Sequence, residues 1–138
     1  MGCLAVILLD THVLLWLMSG DDNLGIKTRQ LIDKALLENK IAVSAITFWE
    51  VALLQQKSRI TFNQDVQEWR KELISMGVVE IAITGELGVF STTLDGFHAD
   101  PANRFIVASA IMNHATLLTA DNKILNWKPS FKCLDARN

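Results

Sequence analysis

The chain has 138 residues, 50% of them hydrophobic and 20% charged, which suits one compact domain with its own core and excludes disorder, fibrous repeats and a pair of ordinary domains. Thirteen Lys and Arg against fifteen Asp and Glu leave a net charge of -2, so no bulk basic field recruits a polyanion and nucleic-acid contact would need a local patch. Two cysteines, Cys3 and Cys133, exclude a disulfide framework and lack zinc-site spacing, which fits a reducing, cytoplasmic setting.

Leu4 to Leu9 is an unbroken apolar run ending at Asp10, the pattern of a strand buried on both faces of a parallel sheet. Asp10 and His12 split the apolar stretch that continues to Met18, and no Lys or Arg precedes it, which argues against a signal peptide or a membrane span. The spacing predicts helices over His12 to Met18 and Gly25 to Glu38, the second with Ile32 and Ala35 on one side and Lys27 and Asp33 on the other. Ile41 to Val43 reads as a second strand. Ile46, Trp49, Leu53 and Gln56 mark the next helix, with Glu50 one step from its apolar stripe, and Val66 to Met76 another around Trp69 and Leu73. Val78 to Ile83 is a third strand. From Leu73 to Asn103 there is no Lys or Arg, although Glu80, Glu86, Asp95 and Asp100 fall there, so any crowding of these acids needs a neutralising partner. Asp100 and Pro101 open a helix running to Asn113, Thr116 to Thr119 is a fourth strand ending at Ala120-Asp121, Asn122 to Trp127 is a helical turn, and Phe131 to Leu134 a small last strand. With no internal repeat or linker, the alternation predicts a single α/β domain over residues 1–138, doubly wound with right-handed crossovers.

In such sheets the ligand crevice lies beyond the carboxyl ends of the strands. Asp10 and Asp121 both follow strands, Asp100 begins a helix facing the same edge, and Glu50 lies in the helix after the second strand. Two carboxylates about 4 Å apart repel by roughly 4 kcal/mol at an effective dielectric near 20, so four cannot share a pocket without a cation or proton uptake. Oxygen-only ligands point to Mg²⁺ or Mn²⁺. Singly, Asp10, Asp100 and Asp121 also read as helix N-caps; Glu50 has no such role, and an exposed helix edge is its alternative. His12 and His98 lack partners at ligand spacing and are read as local hydrogen-bonding groups, His114 as a surface group at a helix end, and the four tryptophans as core.

Four segments then carry a resemblance: Leu8-Leu9-Asp10-Thr11-His12 with Leu15-Trp16; Ser44-Ala45-Ile46-Thr47-Phe48-Trp49-Glu50-Val51-Ala52; His98-Ala99-Asp100-Pro101-Ala102-Asn103-Arg104-Phe105-Ile106-Val107-Ala108; and Leu118-Thr119-Ala120-Asp121. In order and spacing they resemble a PIN domain, more narrowly the VapC-type ribonuclease toxins of type II toxin-antitoxin pairs. The resemblance implies a three-layer α/β fold of four to five parallel strands with helices on both faces. It also implies an acidic Mg²⁺ or Mn²⁺ site and endonucleolytic cleavage of tRNA, rRNA or mRNA.

Asp10, Glu50 and Asp121 match family acids directly, whereas Asn103 stands where the family's third acid does, and Asp100 matches a second acid three residues earlier. Asn103 offers a carbonyl ligand without charge, so the same resemblance leaves open a catalytically weakened module that binds RNA or antitoxin. Thr11 and Thr119 are candidates to orient the carboxylates, and Lys57, Arg59, Arg104 and Lys123 to form a basic rim that holds phosphates. The family further implies a cognate antitoxin across the groove and a homodimer, for which Leu14, Trp16 and Leu54 are candidate contacts. A receiver-like phosphorylation domain, the remaining reading, wants an aspartate after the third strand, and residues 81–84 have none.

Overall fold

The computed structural model describes residues 5–97 and 100–138. Cys3, Leu4 and His98, named above, lie outside them.

Strands β1 (Ile7–Leu9), β2 (Ile41–Ser44), β3 (Val79–Ile81), β4 (Thr116–Thr119) and β5 (Cys133–Asp135) form one parallel sheet in the order β3-β2-β1-β4-β5. Leu8 of β1 lies opposite Ala42 of β2 and Leu117 of β4. The winding direction reverses between β1 and β4, the switch point where open α/β sheets form their crevice. A receiver-like sheet sets β1 between the second and third strands; here it lies between the second and fourth, which removes that reading.

Helices α1 (Thr11–Ser19), α2 (Ile26–Leu37), α3 (Ala45–Gln56), α4 (Val66–Ser75), α5 (Gly85–Ser91), α6 (Pro101–Met112) and α7 (Asn122–Leu125) cover both faces. Successive strand residues point to opposite sides, and the apolar runs divide accordingly. Ile7, Leu9, Val43 and Leu118 pack with Val13, Ile32, Phe48 and Trp69, while Leu8, Ala42 and Leu117 pack with Ile106, Val107 and Ile124. Double burial of short β-branched and leucine runs is why these strands need no polar alternation.

Three expectations are corrected here. Leu14 is 1% exposed in the first core layer and cannot serve a contact between copies. Trp49 is not core but 57% exposed. Helix α5 was not expected, because Gly85 and Gly88 count against helix; it is held by Thr84, whose Oγ1 accepts from the Leu87 N–H at 3.1 Å, and by packing on α6. Among the described residues no helix is long and apolar enough to cross a membrane.

The acid-rich stretch finds its neutralising partner at Glu80: Arg70 Nε and Nη2 donate to its two oxygens, each at 2.6 Å, pinning α4 to β3. Hydrogen bonding to Arg70 holds the Glu80 carboxyl below the usual glutamate value of 4.5. A depressed pKa stabilises the fold above the unfolded value, and the gain is lost as pH falls through the folded one. Glu80→Gln is therefore expected to lower Tm at neutral pH, the gap closing as pH drops below about 4.5, in paired thermal melts. Gly25 makes a close approach instead: a Cβ there would lie 1.9 Å from the Asn138 carbonyl oxygen, which also accepts from Thr28 N and Oγ1. Gly25→Ala is expected to cost about 1–3 kcal/mol by overpacking, read by denaturant titration.

Candidate active site

Asp10 leaves β1 in extended backbone (φ -63°, ψ 154°) and caps α1, which turns its side chain across the carboxyl edge of the sheet. Its backbone N–H donates to Leu118 O at 3.0 Å, fastening it to β4. Oδ1 accepts from Thr11 N–H at 2.7 Å and Oδ2 from the Thr119 hydroxyl at 2.6 Å, and the residue is 4% exposed. Ser44 caps α3, whose second turn brings in Glu50; Glu50 Oε1 accepts from the Thr11 hydroxyl at 2.6 Å. With that single proton committed, the Thr47 hydroxyl, 3.0 Å from Thr11 Oγ1, must be the donor between them. Thr119 works alike on the other side: while donating to Asp10 it accepts from the Asp121 N–H at 3.1 Å.

Asp121 caps α7 through Lys123 N–H at 2.8 Å, and its Oδ2 receives the Asn103 side-chain amide at 3.3 Å. Asp100 caps α6 through Asn103 N–H at 2.9 Å and is otherwise exposed. Capping and convergence are thus not alternatives: three acids cap helices because all three helices start at this edge. Thr47, which sequence reading passed over, lies one turn before Glu50 on α3, and that spacing was the available signal.

Burial raises the pKa of Asp10, against the hydrogen bonds of Thr119 and Thr11, and the Asp121 charge pushes the same way as burial. Burial also raises Glu50, with Asp10 and Asp100 adding repulsion and the Thr11 hydroxyl opposing it. The three ion pairs among the described residues, Arg70–Glu80, Lys71–Glu68 and Arg137–Asp135, all lie elsewhere. His12 makes no side-chain hydrogen bond among the described residues, contrary to expectation; its charge faces Asp10 and Glu50 and favours their ionised forms. The edge is a set of hard oxygen donors with unbalanced negative charge, which fits a small divalent cation. Among the described residues, no three His, Cys, Asp or Glu side chains close on one ion-sized point: hydroxyls and an amide bridge the acids instead.

Of the basic residues, Lys57 and Arg59 are exposed on the loop after α3, and Lys123 is exposed at the start of α7. Arg104 is differently placed from a free rim cation. Its guanidinium donates to Ser91 O at 3.2 Å and to Phe97 O, over the Phe97 ring, and so braces the segment leading to Asp100. Cys133 is half-buried with its thiol pKa pushed up by burial, in keeping with an inert thiol.

A parallel sheet with acids at its switch point and oxygen-only donors defines a class of metal-site α/β domains, and comparison with known proteins narrows it. The PIN-domain family model matches residues 7–127, and the chain belongs to that family. It is of the VapC type: it is 31% identical over 122 residues to ribonuclease VapC22 of Mycobacterium tuberculosis, covering 88% of this chain and 91% of the relative. Solved structures sharing the fold include VapBC2 from Rickettsia felis bound to a DNA fragment from its promoter (TM-score 0.67, 18% identity) and a toxin-antitoxin complex from Klebsiella pneumoniae (TM-score 0.62, 22% identity). Each match covers 94% of this chain and 97% of the other.

Proposed function

We propose that the chain is a Mg²⁺- or Mn²⁺-dependent endoribonuclease acting as the toxin of a toxin-antitoxin pair, cutting RNA phosphodiester bonds in tRNA, rRNA or mRNA. The nuclease and toxin-antitoxin parts are supported by the ribonuclease relative and by the neighbouring toxin-antitoxin complexes. The observation that carries the metal part is the buried, cation-free Asp10 carboxylate, with Glu50 and Asp121 in electrostatic reach. Asp10, Glu50, Asp100 and Asp121, with the Asn103 carbonyl, would hold the ion. When bound, it supplies the Lewis acid that activates water and offsets charge gathering on the leaving oxygen. Thr11 and Thr119 hold two carboxylates in fixed orientation, since each hydroxyl has its proton committed to an acid. Lys57, Arg59 and Lys123 suit phosphate contacts. Arg104 serves instead to brace the Asp100 segment.

The partners that go with this reading are an antitoxin over the acidic edge and a second copy of the chain, in the cytoplasm. With Leu14 buried, exposed Trp49 is the better candidate for the contact between copies. The test is cleavage of bulk RNA by purified protein: activity is expected with Mg²⁺ or Mn²⁺, lost in excess EDTA and restored by either ion. Cleavage that persists in EDTA overturns the metal site.

A second reading, an RNA- or antitoxin-binding module with weakened turnover, is favoured by one observation. At the family's third acid position, Asn103 presents an amide that donates to Asp121.

A further inference from the structure

Beside the acids, α1 and the loop of residues 57–65 enclose a cavity of about 430 Å³, lined by His12, Trp16, Phe62, Asn63, Gln64 and Trp69 among others. That is within the range of small-ligand pockets. His12, which faces the Asp10 and Glu50 charges, is the wall shared with the acidic edge. The loop is held in place: the Gln55 amide donates to Phe62 O at 2.8 Å and to Gln64 O at 2.9 Å. Two features ask for an occupant. Trp69 is fully buried, and its indole N–H has no acceptor, a costly state for a buried donor. The Asn63 and Gln64 side chains are exposed and make no hydrogen bonds among the described residues.

We propose that this cavity is a base-reading subsite, taking one unstacked nucleobase of single-stranded RNA next to the phosphate that is cut. The proposal rests on the ribonuclease reading. Trp16 and Phe62 supply the stacking surface, Asn63 and Gln64 the amides that read a base edge, and the Trp69 N–H a donor for an exocyclic carbonyl. Lys57 and Arg59, exposed in the same loop and in none of the ion pairs among the described residues, add charge for the adjoining phosphates. A protein segment would use the apolar walls but leave these two cations idle, so the charge favours RNA. The overall charge of -2 does not oppose this, because the cations are local to the loop.

The test uses the Asp10→Asn protein, which keeps the cavity, titrated with single-stranded RNA tetranucleotides of different sequence and followed by tryptophan fluorescence. Saturable quenching is expected, with apparent affinities differing about tenfold or more between sequences and this preference lost in Asn63→Ala/Gln64→Ala. Both substituted residues are exposed, so the fold survives, as thermal melts verify. In parallel, chains with Asp10 intact cut a random-sequence RNA, and sequencing of the ends reads the base beside the cut. Its preference is expected to flatten about tenfold in the double variant. Equal quenching by all sequences, or continued cleavage with an unaltered preference, overturns the subsite. Quenching by an amphipathic peptide but by no tetranucleotide overturns it in favour of a protein partner. Sequence-dependent quenching without cleavage by any chain supports the subsite while defeating the ribonuclease reading on which it was built.

Discussion

Asp10→Asn is expected to lower RNA cleavage on the order of 10²-fold or more, and to abolish growth arrest on expression, while the protein folds with an unchanged or higher Tm. The change removes the most buried negative charge at the edge and little else. The asparagine carbonyl can still accept the Thr11 N–H, and its amide can donate to Thr119 Oγ1, which keeps a free lone pair beside the one taken by the Asp121 N–H. Burial raises the Asp10 pKa above the usual 3.8, so the folded state favours the neutral form. A raised pKa means that this stability is fully present below the unfolded value and is lost as pH rises through the folded one. The unaltered protein therefore weakens over that window and the variant does not, so the Tm difference in EDTA should grow from about pH 4 upward and then level off. Loss of folding at every pH would instead assign Asp10 to capping α1 alone.

The strand-helix alternation was readable because β1, β2 and β4 are short doubly buried runs, a pattern with few competing interpretations. The edge that gathers the acids followed from it, since a residue just past a parallel strand has one place to go. Other features depend on tertiary packing that leaves no local mark. Two glycines hid α5, whose stability comes from its Thr84 cap and its seat on α6. Trp49 and Trp69 look alike in sequence, yet one lies outside on α3 while the other lies between Phe48 and Phe62 in the core. Arg104 next to Asn103 resembles a phosphate ligand until the Ser91 and Phe97 carbonyls are seen within its reach. The hydroxyl relay was half legible: Thr11 and Thr119 adjoin acids in sequence, but Thr47 enters only through contact with Thr11.

Asn103→Asp is expected to destabilise the metal-free protein and to enlarge its response to Mg²⁺ or Mn²⁺. The asparagine amide now donates to Asp121 Oδ2 at 3.3 Å; a carboxylate there turns that attraction into repulsion. Two charges about 4 Å apart at an effective dielectric near 20 give roughly 4 kcal/mol, and because both residues are half-exposed, screening reduces this to about 1–2 kcal/mol. The Tm in EDTA should fall accordingly. An added charged oxygen also strengthens the hold on a hard cation, and each tenfold gain in affinity adds about 1.4 kcal/mol of ligand-linked stability at saturating ion. Melts over a metal titration should therefore cross, the variant being weaker without metal and gaining more with it. If the edge faces no ion, the variant stays weaker throughout. Cleavage measured on the same samples separates the two functional readings: a variant that cuts while its parent is inert makes the present chain a binding module. Comparable rates would mean that Asp100, one turn earlier on α6, already supplies the missing charge.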